Sequence, residues 1–74
     1  MAFNKGKYQH YKGPLYEVLD IVLHSETEEQ LVLYKPLNKS SKAQQHLWVR
    51  PYDMFFEQVE YEGKKIARFT FIED

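Results

Sequence analysis

The sequence predicts a mainly β protein folded as a small SH3-like barrel of five strands. Aromatic residues make up 16% of the chain, with six Tyr, five Phe and one Trp, and such side chains favour strands. No stretch carries apolar residues at helical spacing, whereas five short segments lie between turn residues. A chain of 74 residues has room for one core, and closing the sheet hides its edges. We therefore expect residues 1–74 to form one domain, frayed at residues 1–5 and 73–74.

The first two predicted strands form a hairpin. Residues 15–24 are long enough to bend across a small barrel, and the polar run that follows suits a loop leading into residues 30–34. Alternation places Val32 and Tyr34 together on one side of this second strand. Because Pro36 lacks an amide donor, we expect it to end the strand.

A polar connection precedes the third strand. Residues 38–45 contain no apolar side chain larger than Ala43 and predict an exposed, mobile loop. Residues 46–50 predict a strand that Pro51 ends. Residues 52–55 then predict a single turn of 3₁₀ type, because Pro and Asp favour turn initiation.

The last two predicted strands, residues 56–61 and 65–72, are joined by a short loop that contains Gly63. Glycine supplies the positive φ that such a hairpin loop needs. The N-terminal segment 5–13 either adds a short strand or lies across one mouth of the barrel. Periodicity does not choose between the two.

The charge pattern concerns possible partners. A net charge of −1 gives no global attraction for nucleic acid or an anionic membrane. Residues 1–12 and 35–50 nevertheless contain only basic charges, so one side of the protein is expected to be basic.

The absence of Cys excludes thiolate sites and fits a reducing cytoplasm. With no apolar run long enough for a signal peptide or a membrane span, we expect a cytoplasmic protein that does not enter membranes.

The string His24-Ser25-Glu26 places a base, a hydroxyl and a carboxylate together. Neighbouring residues on a strand point to opposite sides, so they are poorly placed for a catalytic relay, and no oxyanion site is evident. We expect Ser25 and Thr27 to cap the loop backbone instead. The sequence therefore predicts no catalytic residue and no enzyme.

A metal site would need His10, His24 and His46 to converge with a carboxylate. Their spacing matches no compact metal motif. We expect no metal and no cofactor, although three separated His can still meet in space.

Trp48 and Arg50 form the first candidate binding pair. They share one face of the third strand with His46, opposite an apolar face formed by Leu47 and Val49. An aromatic ring beside a guanidinium can stack a base and hold a phosphate or carboxylate. The alternative is that Trp48 packs in the core with its indole hydrogen-bonded while Arg50 pairs with an acid such as Asp53 or Glu57.

The N-terminal tyrosines form the second candidate. Tyr8, Tyr11 and Tyr16 alternate with cations that include Lys12, a pattern suited to a single-strand nucleic-acid groove or a peptide platform. Equally, the three rings can plug an open end of the barrel with their hydroxyls in water.

Six strings carry a family resemblance. They are GKYQHYKG at 6–13, LYEV at 15–18, HSET at 24–27, LVLY at 31–34, LWVRP at 47–51 and MF at 54–55. In this order they resemble the bacterial domain-of-unknown-function family numbered 1653, over residues 6 to about 72. The resemblance implies a small, mostly β, cytoplasmic bacterial domain and supplies no activity or catalytic residue. The chain departs from the family pattern in residues 38–46, which form a longer polar connection.

These observations favour a non-enzymatic binding module whose aromatic and basic face takes an anionic partner, such as nucleic acid, a nucleotide or an acidic peptide. The alternative is a structural or assembly protein that uses the same aromatics in a homodimer interface. A small enzyme or nucleotide-processing accessory is a third hypothesis. The expected ligand-binding residues are Tyr8, Tyr11, Lys12, Tyr16, His46, Trp48 and Arg50.

Overall fold

The structure, a computed structural model, describes residues 4–37 and 46–73. The predicted mobile loop 38–45 and the extreme ends of the chain lie outside the described residues. The described elements are β1 (Gly6–His10), β2 (Leu15–Leu23), β3 (Gln30–Pro36), β4 (Trp48–Pro51), α1 (Tyr52–Phe55), β5 (Gln58–Tyr61), β6 (Lys64–Ala67) and β7 (Phe69–Glu73). The prediction of a mainly β protein is confirmed.

Five strands form one antiparallel sheet in the order β4-β3-β2-β1-β7, and β5 pairs with β6 in a separate hairpin. The N-terminal segment therefore adds a strand, and β1 lies between β2 and β7. Strands β4 and β7 are the two edge strands of the sheet. Within the described residues, hydrogen bonds do not close it into a barrel.

A β-bulge bends the long strand β2. The pairing with β3 shifts register between Val18 and Asp20. Tyr16 and Val18 face the core before the shift, and Ile21 packs against the core after it. Val18 and Ile21 are an odd number of residues apart, so simple alternation would place them on opposite faces. The extra residue of the bulge brings Ile21 back to the core side.

The turn after Pro51 is one turn of α-helix, which corrects the 3₁₀ prediction. The Phe56 amide donates to the Tyr52 carbonyl at 3.1 Å, and this spacing of four residues is the α-helical pattern. The turn delivers Phe55 into the core, where the side chain is completely buried.

The predicted last strand is divided in two at Arg68. Residues before it pair with β5, and residues after it pair with β1. The Arg68 amide donates to the Glu57 carbonyl at 3.1 Å, the Arg68 carbonyl accepts from the Tyr11 amide at 2.9 Å, and the Arg68 guanidinium pairs with the Glu57 carboxylate. Arg68 thus fixes the corner where the chain leaves the hairpin and enters the main sheet.

The β5–β6 hairpin confirms the role predicted for Gly63. Glu62 has φ of 53° and Gly63 has φ of 79°. Positive φ at both central residues identifies a type I′ turn, whose twist matches that of the two strands.

The core is mainly aromatic and lies on the inner side of the five-stranded sheet. Its fully or nearly buried hydrophobic members are Tyr8, Tyr16, Val18, Val32, Tyr34, Phe55 and Phe69. The burial of Val32 and Tyr34 confirms the alternation predicted for β3. Large rings give this short chain enough apolar contact area for a core.

Candidate functional site

Strand β4 turns its Trp48–Arg50 face towards the core, whereas the candidate binding pair was predicted on the face away from the apolar side chains. The apolar Leu47 and Val49 are 57% and 54% exposed, whereas Trp48 and Arg50 are partly buried. Trp48 lies directly opposite Tyr34 in register, and paired residues share one face of a sheet. Because Tyr34 is in the core, pairing turns Trp48 and Arg50 inward and leaves the apolar pair outside.

Trp48 packs against the core through two tyrosine rings. Its ring centroid is 6.0 Å from that of Tyr16 and 5.9 Å from that of Tyr34, with interplanar angles of 50° and 80°. The indole is only partly buried, so part of its surface remains available to a ligand.

Arg50 reaches from one end of the sheet towards the other. Its Nε donates to the Tyr34 hydroxyl at 3.4 Å, and its Cζ lies 5.7 Å from the centre of the Phe69 ring on β7. The acid partner expected for Arg50 is not found: Glu57 pairs with Arg68 instead, and no described carboxylate forms an ion pair with Arg50. Arg50 is therefore a partly buried residue whose guanidinium contacts aromatic groups and is not neutralised by any described carboxylate.

His10 adjoins this pair from β1. It is paired in register with Phe69, its ring lies 5.0 Å from that of Phe69 and 6.4 Å from that of Tyr16, and its Nδ1 accepts the Lys12 amide at 3.1 Å. We define the Trp48–Arg50 site by the residues that these contacts join: His10, Tyr16, Tyr34, Trp48, Arg50 and Phe69. His10, Tyr34 and Phe69 are absent from the predicted ligand-binding set.

Tyr11, Lys12 and His46 have exposed or partly exposed positions. The Tyr11 ring lies 4.5 Å from the His10 ring, and the Lys12 Nζ lies 5.8 Å from the centre of the Tyr11 ring. These two residues therefore adjoin the Trp48–Arg50 site through His10. His46 precedes β4 and is exposed.

Tyr8 and Tyr16 are core residues, which corrects the expectation that they present an exposed binding surface. They are 3% and 7% exposed. The Tyr8 hydroxyl donates to the Asn4 carbonyl at 2.6 Å, and its ring lies edge-on to Phe55 and Phe71. The short chain uses these rings to fill its interior, and Tyr16 borders the site through its contact with Trp48.

Burial alters the acidity of both tyrosines. The loss of hydration raises the pKa of Tyr8 above 10.0, and the hydrogen bond to Asn4 opposes part of this rise. Burial also raises the pKa of Tyr16, with a further rise from Tyr34 and an opposing effect of the Arg50 charge. Both hydroxyls are therefore neutral at physiological pH. The positive charge of Arg50 favours the ionised form of the neighbouring Tyr16, against the effect of burial.

The His24-Ser25-Glu26 string forms a loop cap. The Nδ1 of His24 accepts the backbone amides of Glu26 at 3.1 Å and Thr27 at 3.3 Å, and the Thr27 hydroxyl accepts the Glu29 amide at 3.2 Å. The capping role predicted for Thr27 is confirmed. The role predicted for Ser25 is corrected, because His24 takes it: an imidazole nitrogen reaches two loop amides at once.

Residues 4–37 and 46–73 contain neither a cluster of metal ligands nor a membrane-spanning helix. No three His, Asp or Glu side chains there are grouped so that they could hold a metal ion. No helix in this part of the chain is long and apolar enough to cross a bilayer.

A shallow cavity of about 340 Å³ lies elsewhere on the sheet. It is lined by Gly6, Lys7, Glu17, Leu37 and Glu73. Lys7 is paired in register with both Glu17 and Glu73, and Glu17 forms an ion pair with Lys35 at 3.8 Å. Charges thus alternate across four strands and offset one another, as in a stabilising cross-strand ladder.

Comparison with known proteins places this geometry in a family. No curated protein matches the chain. The chain is similar to a crystal structure of a protein belonging to DUF1653 from Bordetella bronchiseptica, with a TM-score of 0.84 and 28% identity over 95% of this chain and 87% of that chain. The model of the family described as "Protein of unknown function (DUF1653)" matches residues 6–71. The chain therefore belongs to the DUF1653 family.

Proposed function

We propose that the protein is a non-enzymatic binding module that holds an anionic partner, nucleic acid, a nucleotide or an acidic peptide, at the Trp48–Arg50 site. One observation carries the proposal. Arg50 is a partly buried cation that forms no ion pair with any described carboxylate. Its guanidinium lies against the Phe69 ring without a described counter-ion, so an incoming anion gains a charge-assisted contact there.

The surroundings of Arg50 support the same role. Trp48 presents part of an indole on the same face of the same strand, and an aromatic ring next to a guanidinium suits a ligand that combines a flat group with an anion. Tyr11 and Lys12 extend this surface through His10. They offer a second ring and a second cation at its margin.

We further propose that the sheet is an SH3-like, partly open barrel. The contact between Arg50 of β4 and Phe69 of β7 supports this shape, because it joins the two end strands of the sheet through side chains. In this proposal the ligand binds where the barrel is incomplete, and the protein acts in the cytoplasm without catalysing a reaction.

Trp48 fluorescence tests the proposed function, since Trp48 is the only tryptophan. Oligonucleotides, nucleotides and glutamate-rich peptides are titrated at low salt. Arg50→Ala should weaken binding of the active ligand by about 1–3 kcal/mol, and Arg50→Lys should restore only part of it because the planar fork is lost. Lys35→Ala is the matched control. It removes one positive charge from the neighbouring strand, at a position whose side chain pairs with Glu17 in the outer ladder.

Loss of binding in Lys35→Ala equal to that in Arg50→Ala would show general charge attraction and contradict the proposed site. The absence of any response of Trp48 to all three classes of anion would contradict the function itself.

Assembly as a homodimer is the second candidate, and exposed apolar residues favour it. Leu47, just before β4, and Val49, within β4, are exposed, and Val49 is paired with the partly buried Leu33. Since Tyr8 and Tyr16 are buried, an interface would use this apolar patch rather than the tyrosines. Sedimentation equilibrium should show a dimer that Val49→Lys dissociates. A wild-type protein that is monomeric at all concentrations would rule this candidate out.

A further inference from the structure

We infer, resting on the proposed function, that the ligand of the Trp48–Arg50 site is a nucleotide with one phosphate bound by Arg50 and its base against Trp48. The phosphate belongs either to a free nucleotide or to the end of a strand. A run of phosphates and an acidic peptide are the rejected alternatives.

Most of the other described cations lie beside carboxylates and provide little additional attraction for a polyanion. Lys5 pairs with Asp20, Lys35 with Glu17 and Arg68 with Glu57. Lys7 lies between two Glu residues in register, and Lys65 lies opposite Glu60. Lys64 is the exception, because it lies opposite Tyr61 in the separate β5–β6 hairpin. A groove that follows a nucleic-acid backbone needs a series of available cations. Among the described residues, one guanidinium lies beside Trp48, whereas Lys12 lies at the margin of the site and Lys64 on the separate hairpin, so one anionic group is the expected number.

The donors at the site suit a phosphate. The Phe69 ring lies against the Arg50 guanidinium, and Nε is directed to the Tyr34 hydroxyl. The two terminal amino groups of Arg50 form no hydrogen bond with a described residue, and the Tyr34 hydroxyl, which accepts from Nε, keeps its own proton for donation. The four N–H donors of the two terminal amino groups can serve several acceptor oxygens, and a phosphate offers more of these than a carboxylate.

The position of Trp48 supplies the second half of the recognition. Trp48 and Arg50 are two residues apart on one strand face, which separates them by about 7 Å along the strand. A sugar joins a base and a phosphate over a distance of this order. The partly exposed indole therefore lies where a base would stack while the phosphate contacts Arg50. An acidic peptide would leave this ring without a matching group.

Trp48 fluorescence with dissected ligands tests the inference. The ligands are AMP, adenosine, ribose 5-phosphate, a glutamate-rich peptide, and oligoadenylates of increasing length with and without a 5′-phosphate. We expect AMP to bind about tenfold or more tightly than adenosine, which lacks the charge-assisted contact, and than ribose 5-phosphate, which lacks the stacked ring. The slope of log affinity against log salt should be near −1.

The oligoadenylates distinguish the two sources of the phosphate. If the ligand is a strand end, adding a 5′-phosphate to an oligoadenylate should raise its affinity by the same factor that separates AMP from adenosine. If the ligand is a free nucleotide, AMP should bind more tightly than either oligonucleotide series. Either result supports the inference.

Two results would overturn the inference while the proposed function survives. One is an affinity that rises with each added nucleotide with a salt slope steeper than about −3, and the other is Arg50-dependent binding of the peptide in preference to AMP. If no anion binds in an Arg50-dependent manner, the proposed function and the inference both fail.

Discussion

Replacement of Phe55 by Ala should remove a large part of the stability of the fold. Phe55 is 0% exposed, its ring is stacked parallel to that of Phe69 at 4.0 Å, and it lies edge-on to Tyr8 at 5.6 Å and Tyr34 at 5.3 Å. Truncation of a buried Phe to Ala costs about 3–5 kcal/mol. Because the substitution removes all three of these ring–ring interactions at once, we expect the upper half of this range.

The total stability sets the scale of this loss. At about 0.05–0.15 kcal/mol per residue, a domain of this length is stable by about 4–11 kcal/mol. Phe55→Ala should therefore be largely unfolded at 25 °C if the total stability is near the low end of this range, and folded with about half of its stability lost if it is near the high end. The milder Phe55→Leu, which keeps an apolar side chain, should remain folded and lose about 1–2 kcal/mol.

Urea unfolding followed by far-ultraviolet circular dichroism and Trp48 fluorescence measures these losses. Met54→Ala is the matched control, because Met54 lies in the same helical turn but is 45% exposed. It should cost less than about 1 kcal/mol. A loss below about 1.5 kcal/mol for Phe55→Ala, or an equal loss for Met54→Ala, would refute the assignment of Phe55 as the side chain that joins the helical turn to the sheet.

Three further results are expected from the hairpin turn, the buried tyrosines and the loop cap. Gly63→Ala, at φ of 79°, should destabilise the β5–β6 hairpin by about 1 kcal/mol, whereas Glu62→Asn should stabilise it, since Asn tolerates positive φ better; thermal unfolding measures both. Neutral Tyr8 and Tyr16 should contribute their full stability below pH 10.0, their ordinary pKa, and this stability should be lost as the pH rises through their raised pKa. Tyrosinate absorbance is measured during alkaline unfolding, and ionisation of both tyrosines before the fold is lost would contradict this expectation. Ser25→Ala should change stability by less than about 0.5 kcal/mol, because His24 provides the loop cap; urea unfolding measures the change.

Local features of the strands could be predicted from the sequence. The alternation in β3 correctly placed Val32 and Tyr34 on one side of the strand, Pro36 and Pro51 ended their strands, and Gly63 marked the hairpin turn. Each of these features depends on residues within a few positions of one another, so periodicity and turn chemistry contain the necessary information.

Long-range pairing could not be predicted in the same way. The division of the last strand at Arg68 follows from its contacts with Glu57 and Tyr11, which are distant in sequence. Alternation groups Trp48 with Arg50, but only the pairing of β4 with β3 decides which face is buried. The part of the candidate site formed by His10 and Phe69 likewise depends on the pairing of β1 with β7, for which the sequence offers no local signal.

The central claim, that an anion binds between Trp48 and Arg50, is tested most directly by nuclear magnetic resonance. AMP is titrated into isotope-labelled protein, and the side-chain N–H signals of Trp48 and Arg50 are followed with the backbone amides. We predict that the largest shifts occur in these two side chains and in the amides of His10 and Phe69, and that Arg50→Ala removes them. Shifts confined to the outer charge ladder around Lys7, or equal shifts in the Arg50→Ala variant, would contradict the claim.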